Sequence, residues 1–143
     1  MTEAQTRSTT ELPTVLIADD EEDTRLLILD TLGRGAPACQ VEAYRDGEEL
    51  WSRLQHNRRR GAKTPSLIFL DLYMPRRNGH ETLEAIRADP GLTAVPVVLL
   101  SSSEAPEDAA AAYRLGANQF AVKPSSFRDF RDLVQHLVHR WLT

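Results

Sequence analysis

Short apolar runs recur along this chain, and each is broken at its end by residues of a different chemistry. Val15-Leu16-Ile17-Ala18 gives way to Asp19-Asp20-Glu21-Glu22-Asp23, and Leu67-Ile68-Phe69-Leu70 gives way to Asp71. Val97-Val98-Leu99-Leu100 breaks into Ser101-Ser102-Ser103, and Phe120-Ala121-Val122 into Lys123-Pro124. Longer amphipathic stretches separate these runs, a pattern that predicts βα units and a parallel sheet. After a first strand at 15–18, Leu26, Ile28, Leu29 and Leu32 fall at helical spacing, and Gly33 and Gly35 predict a glycine C-terminus for that helix. A weaker strand at 40–44 turns at Asp46-Gly47 into a helix holding Leu50, Trp51 and Leu54, and the polar residues 56–64 read as a long loop. The strand at 67–70 is apolar at successive positions, as expected when helices cover both faces of a sheet. A helix with Leu83 and Ile86 closes at Asp89-Pro90-Gly91. A strand at 95–100, a helix with Pro106 in its first turn and Gly116 at its end, a strand at 119–122 and a helix at 127–142 complete the series. Five such units joined by right-handed crossovers predict an α/β fold, a doubly wound five-stranded parallel sheet of flavodoxin-like type.

The 143 residues, 41% of them hydrophobic, suffice for one domain with one core. That domain is expected over 14–143, behind a polar, disordered tail at 1–13. The tail has no apolar stretch of the kind a signal peptide needs, and no run approaches the length that spans a bilayer. With 17 Lys+Arg against 21 Asp+Glu, the net charge of −4 offers no global field for nucleic acid. The one local basic cluster, Arg58-Arg59-Arg60 with Lys63, reads as a solvated loop. The single cysteine, Cys39, excludes an internal disulfide and a cysteine-based zinc site and fits a reducing cytoplasm. The expectation is a soluble cytoplasmic protein without nucleic-acid or membrane partners.

If the apolar runs are parallel strands, an acidic pair, a lone Asp, a hydroxyl and a lysine all emerge at the carboxyl edge of one sheet, where open α/β sheets place their sites. Adjacent carboxylates at a strand end suit Mg2+, which takes hard oxygen ligands and keeps several waters. Asp19 and Asp20 diverge if the backbone is still extended there, which makes Asp20 the direct ligand and Asp19 one that acts through water. The acidic run also serves the next helix, because negative charge favours a helix N-terminus. That accounts for residues 21–23 but not for the matching Asp and Lys at two further strand ends. Crowded carboxylates repel unless neutralised, so a cation would make Asp71 a usable nucleophile toward a phosphoryl group. Lys123 would pair with that carboxylate and then with a phosphoryl oxygen, and Ser101 would donate to another.

These pieces together resemble the response-regulator receiver domain of bacterial two-component signalling. The resemblance rests on Asp19-Asp20, the Asp71-Leu72-Tyr73-Met74-Pro75 segment with Gly79, Ser101 and Lys123-Pro124, and it covers the chain from Thr14 onward. It implies that Asp71 accepts a phosphoryl group from a phosphohistidine of a sensor histidine kinase. It also implies that the Tyr73 backbone carbonyl joins Asp20 and Asp71 around Mg2+, and that the protein catalyses no reaction beyond its own phosphorylation and dephosphorylation. Phe120 stands where the family's switch aromatic is commonly Tyr, so the ring has no hydroxyl to signal with. Within the family the chain is most similar to the small stand-alone receivers paired with bacterial phytochrome kinases. The shared features are the Asp-Leu-Tyr-Met-Pro acceptor segment, the Arg-rich stretch before the third strand and a last helix ending near Trp141.

Three other readings fit the sequence less well. A flavodoxin-like electron carrier would need a Ser/Thr/Gly-rich phosphate loop where this chain has residues 19–23. A phosphatase working through an aspartyl phosphate would need a substrate-gripping cap. A degenerate receiver would not retain Asp20, Asp71, Ser101 and Lys123. No Gly-rich nucleotide loop is present, which argues against direct use of ATP. His56, His80, His136 and His139 read as surface residues. The last helix carries Phe127, Phe130, Leu133, Val134, Leu137, Val138, Trp141 and Leu142, a stripe wider than one sheet-packed face requires. It predicts a symmetric homodimer built on that helix.

Overall fold

Five strands and five helices alternate in a computed structural model that describes residues 12–35 and 37–142. The strands are β1 (Thr14–Ala18), β2 (Gln40–Tyr44), β3 (Leu67–Asp71), β4 (Val97–Ser101) and β5 (Gln119–Val122). The helices are α1 (Glu22–Arg34), α2 (Gly47–Arg59), α3 (Gly79–Ala88), α4 (Pro106–Arg114) and α5 (Phe127–Leu142). All neighbouring strands pair in parallel in the order β2-β1-β3-β4-β5, so the chain reverses direction across the sheet beside β1 and β3. That reversal opens the crevice in which such sheets carry their ligands. The expected fold is the observed one. The tail expected at 1–13 falls, as far as residue 11, outside the described residues.

Alternation along the strands divides the core into two layers. Val15, Ile17, Leu67, Phe69, Val98 and Leu100 pack with Ile28 and Leu32 of α1 and with Phe130, Val134, Leu137 and Val138 of α5. On the other face, Leu16, Ala18, Ile68, Leu70, Val97 and Leu99 meet Leu50 and Leu54 of α2, Leu83 and Ile86 of α3 and Ala112 of α4. Every residue of β3 and β4 is buried, whereas the edge strand β2 is only partly covered.

Three expectations are corrected. The loop at 56–64 is shorter, because α2 continues to Arg59 and ends at Gly61, whose φ is +74°. The extension has a tertiary partner: the Arg58 guanidinium pairs with the buried carboxylate of Asp89 beyond α3, so Arg58, though exposed as expected, stands on a helix and not in a loop. Burial pushes the Asp89 carboxyl up, but the Gly91 N–H and Arg58 outweigh it and hold it below the usual range. The fourth strand starts at Val97, since Val95 closes a turn on Leu92 and Pro96 has no N–H to give the ladder. Finally, α1 runs through Gly33, and Gly35 beyond it is extended (φ −92°) rather than left-handed. The glycines that do follow a helix in the left-handed region are Gly61 after α2 and Gly116 (φ +104°) after α4.

Candidate functional site

The register of β1 and β3 pairs Ala18 with Leu70, so the next residues, Asp19 and Asp71, emerge side by side at the carboxyl edge. Carboxylate oxygens of Asp19, Asp20 and Asp71 lie within 4.8 Å of one another. Asp19 is fully buried and Asp71 nearly so, while Asp20 is exposed. Lys123 follows β5, where its backbone N–H donates to the Ser101 carbonyl at 2.8 Å. Its ammonium lies 2.8 Å from Asp19 Oδ2, 3.2 Å from Asp71 Oδ1 and 3.4 Å from Glu21 Oε1. The sequence reading paired Lys123 with Asp71, and the structure has it bridging Asp71 and Asp19. The other Asp19 oxygen accepts the Glu21 N–H at 2.9 Å, so both oxygens of Asp19 have protein partners.

Burial is the largest influence on the Asp71 carboxyl, and the neighbouring Asp19 charge adds to it. Lys123 offsets only part of this, and the Asp71 pKa rises to about 7. Burial likewise raises Asp19 despite its bond to Lys123. Burial alone would depress Lys123, but the charges of Asp19 and Asp71 carry it above the ordinary lysine value. When all four groups are ionised, three carboxylates against one ammonium leave two negative charges in excess. Hard oxygen donors with that unmet charge suit a divalent cation, so the residues present fit the metal the fold implies.

Ser101, the last residue of β4, is fully buried, and its Oγ accepts the Ser103 N–H at 3.0 Å. That leaves its own proton to donate. Ser103 Oγ donates to Asp108 Oδ2 at 2.6 Å, and Tyr73 Oη donates to the same oxygen at 2.8 Å. These two bonds hold the Asp108 carboxyl below its usual range. His80 is not purely a surface residue, because its Nε2 lies 3.3 Å from the Asp108 carbonyl oxygen. Phe120 is half-buried against the layer covered by α2, α3 and α4. Its backbone N–H donates to Tyr113 Oη of α4 at 3.0 Å.

All the sequence-predicted site residues stand at one edge of the sheet or on the β4-α4-β5 side of it. Sequence reasoning missed Asp108, Ser103 and Tyr113. Asp108 lies 35 residues from Tyr73 along the chain, and the Pro106 signal read only as a helix start. The polar triplet after β4 was the one available hint that more than one hydroxyl had a task there.

The model of the response regulator receiver domain matches residues 15–135. Response regulator Rcp1 of Synechocystis sp. is 31% identical over 129 residues, covering 90% of this chain and 87% of that protein. The structure of Rcp1 in its Mn2+-bound form aligns with a TM-score of 0.83 at 29% identity, over 91% of this chain and 94% of that one. The phosphorylated cyanobacterial phytochrome response regulator RcpA aligns with a TM-score of 0.86, also at 29% identity, over 93% of this chain and 96% of that one. An acidic cluster, a hydroxyl and a lysine at the carboxyl edge of this sheet therefore have a family context: the chain belongs to the response-regulator receivers, which accept a phosphoryl group on an aspartate.

Proposed function

We propose that Asp71 is the phosphoryl acceptor of a Mg2+-dependent receiver serving a sensor histidine kinase, and that the modified protein signals by association with other proteins. One observation carries this reading: Asp71 is nearly buried, within 4.8 Å of two further carboxylates, yet has an ammonium at 3.2 Å. A charge so poorly satisfied is costly to keep unless incoming groups complete it. In the reaction an Asp71 Oδ forms a bond to phosphorus while the bond from phosphorus to the donor's imidazole nitrogen breaks. Lys123, anchored on Asp19, moves its contact from Asp71 to a phosphoryl oxygen, and the Ser101 hydroxyl donates to another. Asp20, Asp71 and the Tyr73 carbonyl would hold the metal, which supplies charge neutralisation. The exposed carboxylate of Asp20 and the fully engaged one of Asp19 support assigning Asp20 as the direct ligand and Asp19 as one acting through water.

Similarity to Rcp1 and RcpA supports a kinase of the phytochrome class, and the lone Cys39 thiol a reducing cytoplasm. No helix among the described residues is long and apolar enough to cross a membrane. A homodimer on α5 also belongs to this reading, on a smaller surface than the sequence implied. Phe130, Val134, Leu137 and Val138 are spent on the sheet, leaving Phe127, 63% exposed, with the partly covered Leu133, Trp141 and Leu142. The metal-dependent chemistry is tested by mass spectrometry after treatment with acetyl phosphate. One phosphoryl group is expected with Mg2+ and none in EDTA; equal uptake in both would contradict the mechanism.

A further inference from the structure

Arg76 is the one non-glycine residue with positive φ among those described, at +67°. The Arg77 N–H donates to the Pro75 carbonyl at 2.7 Å, closing a three-residue turn around it. A γ-turn whose central residue has positive φ is the strained form, and a side chain there persists only where its surroundings hold it. Glycine would fit this backbone without strain. Glycine, however, could not make the contacts that Arg76 makes: its Nε and Nη2 lie 2.9 and 2.8 Å from Asp46 Oδ2. Asp46 is buried, and its other oxygen caps α2 by accepting the Glu49 N–H at 2.9 Å.

The contact is reinforced next door. The Gly47 N–H donates to the Arg77 carbonyl at 3.3 Å, and the two backbones come so close that a Cβ on Gly47 would stand 2.5 Å from that oxygen. Arg77 Nε in turn donates to Glu48 at 3.1 Å. This loop begins at Asp71. Its start is pinned to α3 by the Gly79 N–H on the Leu72 carbonyl at 2.8 Å, and Tyr73 is tied to α4 through Asp108. Its middle is held by α2.

We infer that Arg76 and Asp46 form a positioning pair, which fixes the β3-α3 loop against α2 and thereby the backbone beside Asp71 that completes the metal-binding end of the site. The inference rests on the reading of that site as a Mg2+ centre. It gives the strained residue a purpose: supports that orient metal ligands matter to affinity though they touch no metal.

The test is Mg2+ titration by calorimetry on the full chain, with the melting temperature measured in EDTA alongside. R76G removes the clamp and the partner of the buried Asp46 carboxylate while relieving the strain, so its melting temperature in EDTA is expected to fall only modestly while Mg2+ affinity falls about tenfold. D46N, which keeps an oxygen for the cap, is expected to weaken Mg2+ comparably, and the double variant no further than either single one, because the pair acts as a unit. R76K is expected to recover part of the loss. Affinity of R76G within twofold of wild type would overturn the inference while leaving the Mg2+ site standing. A wild type that binds no Mg2+ would overturn the underlying reading and this inference with it.

Discussion

Asp71 and Lys123 show how residue-level chemistry is set by placement. Each would be unremarkable at the surface; at a strand end with almost no exposure they depend on one another and on Asp19. In the metal-free protein this has a consequence for stability. The folded pKa of Asp71, about 7, is raised above the unfolded value near 4, so the folded state holds the proton more tightly. Its contribution is therefore fully present below about pH 4 and is lost as pH rises through about 7. The raised pKa of Asp19 acts in the same direction. D71N, a neutral side chain of the same shape, is expected to raise metal-free stability at pH 8 by about 2 kcal/mol and to flatten its fall between about pH 4 and 7. Denaturant unfolding in EDTA is the measurement. A D71N protein no more stable than wild type at pH 8 would show that the carboxylate carries no such strain.

At the scale of elements, most of the architecture was legible because each signal was local. The apolar runs of β3 and β4, the Pro106 start of α4 and the Gly116 stop all declare themselves within a few residues. What the sequence could not reveal depends on contacts distant along the chain. The extra turn of α2 answers to Asp89, 31 residues away, and the clamp of the β3-α3 loop to Asp46, 30 residues away. The α4 N-terminal turn is also tied on two sides, to Ser103 after β4 and to Tyr73 after β3. We propose that these ties take part in a conformational switch, in which Ser101 moves toward the phosphoryl group, the β4-α4 loop follows and the Phe120 ring turns inward. Such a change shifts an existing equilibrium. S101A is expected to take up a phosphoryl group largely as wild type does, while the NMR shifts around Phe120 lose their response. An identical response in S101A and wild type would uncouple Ser101 from the ring.

Across the whole molecule the sheet separates two tasks. Its carboxyl edge holds the charged site, while α1 and α5 cover one face and α2, α3 and α4 the other. Along α5 the sequence pattern overstated what is free for a partner, because a helix packed beside α1 at the sheet buries more than a single narrow stripe. Leu137 is fully buried, so an acidic substitution there would report on folding and not on association. Phe127 is the informative position. If the proposed dimer uses α5, F127D is expected to shift a wild-type dimer toward monomer in sedimentation at micromolar concentration, with the melting temperature little changed. A monomeric wild type, or a dimer indifferent to F127D and W141A together, would exclude that surface.

The central claim is that Asp71 alone takes the phosphoryl group, and locating the modification tests it most directly. Protein treated with acetyl phosphate and Mg2+ is reduced with borohydride, which converts an aspartyl phosphate to homoserine with release of phosphate, and is then digested, so that mass spectrometry locates the label as homoserine or as a retained serine phosphate. The account predicts a single label on Asp71, absent from D71A and strongly reduced in K123A. A label on Asp19, Asp20 or any serine of the 101–103 triplet in wild type, or undiminished labelling of D71A, would contradict it.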